Sequence, residues 1–560
     1  MSYFDDASLV MIPSGYKNQK VYSVKPLDGS GDLTFSRASS ATRVASNGYI
    51  EKVRTNLLTY SNTFSNAAWT KNNVTLTAGQ VDPNGGTNGT RAQFSGVSYI
   101  FQAPSTAFAT ASVYVRATSG TANIRIGDSN GNYVVAYALT ESWQRITAFG
   151  SAMSGISIDS FIGGSWTAQD VIIAFAQFET GDIATDYIAT TSAAVSVGPV
   201  SGLPRLDYLN STCPRLLLEP QRSSLVTYSE QINNAAWTKR NSTISANAAT
   251  SPDGYTNADK IQEDTSNDRH DIYQSFSVTS GTAYTISGFV KAAERTFCFL
   301  SFGSSNVNGG NAFFNLSTGT VVSSPAGITS TITSYGNGWY RITSSGTASG
   351  TGSAYVVCGP TLTGTSITYQ GVSGSGIMTY GFMAEAGAYA TSYIPTFGTS
   401  VTRVKDVALT GSVPSLIGQT EGVMFIDFNR LGTLDDSLFI LSNVAGTASN
   451  SYGNSVYIYQ ISNGNLVVEC YISFVQQFSF SLTALSVGRH KVAIAYKQND
   501  FAIYVDGVLR GTDTSGNVPA MNYLTIAGGA DVPVQIQAVN QALLFKTRLT
   551  NAQLAELTTL

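Results

Sequence analysis

Four side chains have the chemistry to hold a sugar ring: Trp166 in "GGSWTAQ", His270 and Tyr273 in "DTSNDRHDIYQ", and Tyr452 in "NSYGNS". Flat aromatic faces stack on a sugar, while Asn, Asp and Arg exchange hydrogen bonds with its hydroxyls. The three aromatics are expected in loops, and His270 in a ligand-facing loop beside Arg269; ordinary surface or core packing is the other reading for each. A second set is ionic. Arg37, Arg43, Arg205, Arg215 and Arg222 stand with Asp207 and Glu219 in a chain of which only 12% is charged. They read either as ion pairs that fix a small platform or as a docking face.

Reactive chemistry is harder to find. A retaining glycosidase needs two carboxyls about 5 Å apart. Beyond residue 410 the only glutamates are Glu421, Glu469 and Glu556, and no strand alternates acidic residues. "FIDFNR" and "TLDDS" lack a partner at the needed spacing. Two histidines, His270 and His490, are too few for a histidine metal site, and His490 reads as structural. No G-x-S-x-G, H-E-x-x-H, G-x-G-x-x-G or P-loop pattern occurs. The expectation is a protein that is not an enzyme and has no cofactor; no ligand spacing nominates a calcium site.

The elements that must position these residues announce themselves by repetition. "NAAWTK" occurs at Asn66–Lys71 and again at Asn234–Lys239. Leu57 matches Leu225, Tyr60 matches Tyr228 and Trp69 matches Trp237, all 168 residues apart. Further on, Trp143 in "SWQRITAFG" matches Trp339 in "GWYRITSSG" at 196, and Glu179 and Tyr187 match Glu385 and Tyr393 at 206. The offset grows because the second copy holds extra residues in its interior loops, which vary while cores do not. Within each copy, runs such as "ASVYVRA" and "AYTISGFVKA" alternate with period two between Gly-, Asn- and Ser-rich turns, the pattern of a sandwich or jelly roll. All four repeated tryptophans are expected to plug cores rather than to form sugar platforms.

Composition agrees. At 560 residues the chain exceeds one core, so three or four domains are expected. Gly is abundant, aromatics reach 11%, and long Glu/Lys/Ala-rich stretches are missing. A net charge of −4 leaves no basic footprint for nucleic acid. No apolar run is long enough to cross a membrane as a helix. The opening "MSYFDDASLVMIPSGYK" has acidic residues where a signal peptide needs Lys or Arg. Cys213, Cys298, Cys358 and Cys470 are far apart and are expected as largely buried free thiols. Maturation in a reducing cytoplasm is therefore expected, beside a surface chemistry that looks extracellular.

The phrases "NLLTYS…F…W", "W-x-R-I-T" and "E-x-G-x-x-A-T-x-Y-I" resemble the carbohydrate-binding jelly-roll modules of phage fibre proteins. "LTFSRASSATRVASNGYIE" (33–51) and "GLPRLDYLNSTCPRLLLEPQR" (202–222) resemble set phrases of tail-fibre, head-fibre and collar-spike proteins of tailed bacteriophages, including crAss-like phages of Bacteroidetes. In such relatives the two phrases run almost together, which implies that here a jelly roll is inserted between them. "KVAIAY", a turn and "FAIYVDG", then "LLFKTRLTNAQLAEL" with a helix capped by Thr550 or Asn551, resemble a concanavalin/laminin-G-like lectin sandwich.

The fold class expected is thus all-β: a platform over 1–53 completed by 201–222, a jelly-roll module over 54–200, a second over 223–405, and a lectin-type sandwich over 406–560. The resemblance implies a structural virion fibre or spike for host attachment, found on the virion surface and made in the host cytoplasm. Its implied partners are itself as a trimer, other virion proteins (portal or collar, capsid or tail) and host surface glycans. A purely architectural collar or head protein is the alternative, and a capsule depolymerase a further one.

Overall fold

The computed structural model describes the whole chain apart from residues 1, 105, 129, 431–435, 446–452, 462–464 and 527–537. Among the described residues the regular structure is strand apart from the helices Tyr3–Asp6 and Asn551–Thr558 and one short 3₁₀ turn, Ser305–Val307, and it is arranged as three sandwiches. The terminal sandwich is assembled from three separate stretches of sequence. One sheet runs Arg205–Asp207, Arg215–Leu217, Ala538–Phe545, Glu421–Arg430, Gly488–Lys497, Phe501–Val505, Val508–Asp513, with Leu9–Met11 also paired to Ala538–Phe545. The facing sheet begins with Tyr16–Lys17, Lys20–Val21 and Leu33–Ser36, continues through Val407–Leu409 and Tyr523–Ile526, and ends with Asp436–Ser442, Asn454–Gln460, Leu466–Ile472 and Val475–Leu482.

Period-two alternation explains the N-terminal share of that core. In "LTFS", Leu33 and Phe35 are buried while Thr34 and Ser36 face out. Leu9, Met11, Phe35, Leu216 and Leu218 pack in one core with Met424, Val492 and Ile526. The segments expected to form a separate platform therefore supply strands to the terminal sandwich. Alone, their short strands could not bury two faces of a sheet.

The two repeated modules are inserted into this base, and each is clasped at its neck by a two-stranded ladder. Arg54–Asn56 pairs with Val195–Val197, and Arg222–Ser224 with Val401–Arg403. Chain entry and exit thus lie side by side, the geometry that tolerates domain insertion. The first module is one continuous eight-stranded sheet. Its long strand Gly89–Gln102 pairs through residues 90–94 with Gln169–Thr180 and through 99–102 with Ile156–Asp159. The second module separates into two six-stranded sheets, because there the matching stretch is divided into Thr256–Glu263 and Asp271–Val278.

The repeated residues hold equivalent places. Trp69 and Trp237 are buried, and each indole Nε1 donates to a carbonyl nine residues upstream, Tyr60 O at 2.9 Å and Tyr228 O at 2.7 Å. Ser61 and Ser229 hydroxyls meet the Tyr187 and Tyr393 phenols at 2.7 and 2.6 Å. Trp339 is also buried, its Nε1 donating to Thr250 O at 3.0 Å. Trp143 differs from expectation: it is half-buried, with the Arg116 guanidinium over its ring. Cys213 likewise lies exposed in the turn 208–213, whereas Cys298, Cys358 and Cys470 are buried. The closing helix Asn551–Thr558 is capped by Thr550, with Gln553 completing a capping box.

Candidate functional site

The ionic set gathers where both necks leave the base. The Arg37 guanidinium donates to Asp406 at 3.1 Å, and Arg205 reaches both Asp406 and, at 2.6 Å, Glu219. Arg403 adds a second guanidinium at 2.8 Å from Glu219, and Ser392 donates to the same carboxylate through N and Oγ, each at 2.6 Å. Burial alone would push the Glu219 carboxyl up; the Arg403 and Arg205 charges outweigh it and hold it at about 2. Burial pulls the Arg37 guanidinium down to about 10 against the opposing pull of Asp406.

Arg37, Arg205 and Glu219 are fully enclosed, so they tie Ser36's strand, the linker between the modules and the second neck into one junction. The other members of the set sit around it. Asp207 accepts from the Val44 and Leu209 amides, Arg43 pairs with Glu51 at 2.7 Å, Arg215 donates to Leu209 O, and Arg222 stands 3.7 Å from Glu385. Sequence reasoning missed Arg403, at the end of the second module, and Asp406, at the start of the terminal sandwich.

Above this junction, a cleft of about 480 Å³ opens between the two modules. Five stretches of chain line it, within 45–55, 179–186 and 253–257, at 230 and at 395–397. The hairpin Arg43–Val44/Ile50–Glu51 brings Tyr49, whose ring lies against Gly254 so closely that a Cβ there would stand 3.3 Å from it. The first neck brings Lys52 and Arg54; the turn after Gln169–Thr180 brings Asp182 and Asp186; the turn before Thr256–Glu263 brings Asp253 and Tyr255. Phe397 closes the rim from the second module.

The polar groups are mutually engaged. Lys52 Nζ lies 2.8 Å from Glu230, 2.7 Å from Asp253 and 2.8 Å from the Tyr380 phenol. Burial lowers its ammonium, but the Asp253 and Glu230 charges outweigh that and keep it above the ordinary lysine range. Arg54 stands 3.6 Å from Asp186 and stacks on the Tyr255 ring, whose hydroxyl donates to Asp186 at 3.0 Å. Asp182 differs, being pushed up to about 6 by burial and by the charge of Glu230. Asn257 is buried on the cleft wall; its Nδ2 donates to Asp253 at 3.3 Å, while its Oδ1 accepts from no described residue.

Of the side chains nominated from sequence, the described ones, Trp166, His270 and Tyr273, do not line this cleft. Trp166 is half-buried in the hairpin Phe161–Ile162/Ser165–Trp166, its ring 5.1 Å from Phe161. Tyr273 lies in the strand Asp271–Val278 rather than a loop, under the Arg240 guanidinium. His270 is enclosed, its Nδ1 2.7 Å from Asn241 O and its ring against Tyr369, because the polar run around it folds over a second ladder, Asn267–Arg269 with Thr368–Gln370. Tyr452 lies outside the described residues. Among the described residues no group of three His, Cys, Asp or Glu is placed to hold a metal ion.

A signal for the cleft did exist in the sequence. Pro83-Asn84-Gly85-Gly86-Thr87-Asn88 of the first module aligns with Pro252-Asp253-Gly254-Tyr255-Thr256-Asn257 of the second. Asn62 aligns with Glu230, Asp182 with Ala388 and Asp186 with Ser392. Several of the cleft's charged and aromatic residues, Glu230, Tyr255, Asp182 and Asp186, stand where the two copies differ.

The fold and this junction define a multidomain all-β protein of stacked sandwiches. No protein-family model matches the chain, and no curated protein does. Among solved structures it is similar to a carbohydrate-binding module (CBM40) of a Ruminococcus gnavus IT-sialidase, at 12% identity and TM-score 0.22 over 25% of this chain and 84% of that one. It is similar to domain 4 of the Geobacillus stearothermophilus arabinanase AbnA at 13% identity and TM-score 0.22, over 31% and 81%. A Trypanosoma rangeli sialidase aligns over 93% and 97% at 10% identity and TM-score 0.21. Nothing in the functional reading rests on likenesses this distant.

Proposed function

We propose that the chain is a structural, non-catalytic adhesin, a fibre or spike protein of a tailed bacteriophage that presents a glycan-binding surface to the host. The observation that carries the binding part is the inter-module cleft, in which Tyr49, Tyr255 and Phe397 stand beside carboxylates, an amide and two cations. Aromatic faces with a few convergent polar groups in a concave site suit a polyol ligand. The virion setting is supported by the fibre-type phrases at 33–51 and 202–222 and by the insertion of both modules into one base. Weak sites on many copies of a trimer would add by multivalency.

The test is a glycan-array and host-cell binding assay on the full-length chain. Saturable binding that falls at least ten-fold in Tyr255→Ala, with the melting profile kept, is the expected result. A folded protein that binds no glycan and no cell would refute the adhesin reading and favour the architectural collar or head protein.

A further inference from the structure

Resting on that reading, we infer that the inter-module cleft accepts glycan units that carry no carboxylate, sulfate or phosphate, and rejects acidic sugars. A site for an acidic sugar needs a cation left free to meet its anion, as arginine does for carboxylates. Here both lining cations are already engaged. Lys52 lies between Glu230 and Asp253, and Arg54 between Asp186 and Tyr255. Among the described lining residues no further Lys or Arg remains.

The acceptors, by contrast, are in surplus. The carboxylate of Asp182 lines the cleft, where the like charge of Glu230 acts on it more strongly than the opposing Lys52 ammonium, and its own charge in turn acts on Asp259. Asn257 is a residue of the cleft wall, and its enclosed Oδ1 accepts from no described residue. A buried acceptor without a donor is costly, and a ligand hydroxyl or ammonium would satisfy it. Both features ask for a donor. Sugar hydroxyls and amino groups donate; a sugar carboxylate would bring a like charge beside Asp182 in a partly desolvated space.

The experiment uses the full-length chain on an array of neutral, amino-bearing and acidic oligosaccharides at pH 7.5, in low and high salt, with the variants Asp182→Asn and Asn257→Ala. Expected are binding of non-acidic glycans, binding of acidic ones at least ten-fold weaker, and a ten-fold loss for Asn257→Ala. Asp182→Asn should narrow the gap between the classes, and high salt should narrow it in the parent. Thermal melting of both variants reports whether the fold is kept, and the isosteric Asp182→Asn carries the test if Asn257→Ala does not fold. Acidic glycans bound as well as neutral ones, and weakened by Tyr255→Ala, would overturn this inference while leaving the adhesin reading intact. Binding indifferent to both variants would overturn the assignment to this cleft. No glycan bound at all would overturn the adhesin reading itself.

Discussion

Glu219→Ala should unlock the junction from which both modules spring. In the intact protein the Glu219 carboxylate receives Arg205, Arg403 and two bonds from Ser392, all out of water. Removing it leaves three enclosed guanidiniums, Arg37, Arg205 and Arg403, with Asp406 as their common counter-charge. Breaking a buried ion pair by deleting one partner costs about 3–5 kcal/mol. The proton equilibrium gives a second measure. Folding holds this carboxyl at about 2 rather than its ordinary 4.5, worth about 3–4 kcal/mol at about 1.4 kcal/mol per pKa unit. The sign follows from the direction: stabilisation is complete above pH 4.5 and is lost as pH falls from 4.5 towards 2. Differential scanning calorimetry at pH 7 and pH 3 is the assay. At pH 7 the base transition of Glu219→Ala should fall by roughly 6–20 °C, at about 2–4 °C per kcal/mol for a domain of this size. The variant should lose less on acidification than the parent does. A shift equivalent to less than about 1 kcal/mol, as exposed pairs give, or an unchanged acid sensitivity, would refute the reasoning.

Three other outcomes are expected. Asp182 and Asp259 are raised to about 6 and about 7, chiefly by burial. A carboxyl that holds its proton more tightly when folded favours the fold as pH drops from about 7 towards 4, so the thermal midpoint should rise on mild acidification before Glu219 reverses the trend. Asp259→Asn should flatten that rise in a pH series of melting curves. Trp69→Ala and Trp237→Ala should each cost about 3–5 kcal/mol in the module that holds the residue, leaving the other module's calorimetric transition in place. Gly376→Ala should destabilise the second module, because its Cβ would stand 1.8 Å from the Ile261 carbonyl oxygen; a melting temperature equal to the parent's would contradict that contact.

What the sequence disclosed was local or repeated. The shared "NAAWTK", the doubled Glu179/Glu385 and Tyr187/Tyr393, the hairpin from Lys491 through Gly507 and the Thr550 cap all depend on neighbours close in the chain or on a second copy to compare. What it hid was non-local. Leu9–Met11 pairs with Ala538–Phe545 across nearly the whole chain, and Arg37 finds Asp406 at a separation of 369 residues. Neither pairing leaves a periodicity to read. Tyr273 and His270 were misplaced because a polar run looks like a loop, whereas here it crosses between two ladders and folds over its own histidine. The cleft drew its side chains from five separate segments. It was visible only as differences between copies, at Tyr255, Glu230 and Asp182, and comparison for likeness passes over differences.

The most direct test of the composite base is hydrogen exchange of the full chain followed by mass spectrometry. Peptides holding Leu9–Met11, Leu33–Ser36, Arg205–Asp207 and Arg215–Leu217 should exchange together with Ala538–Phe545 and Glu421–Arg430, as one cooperative unit apart from the two modules. Rapid exchange of residues 1–53 and 201–222 while 407–560 stays protected would contradict a base built from all three stretches.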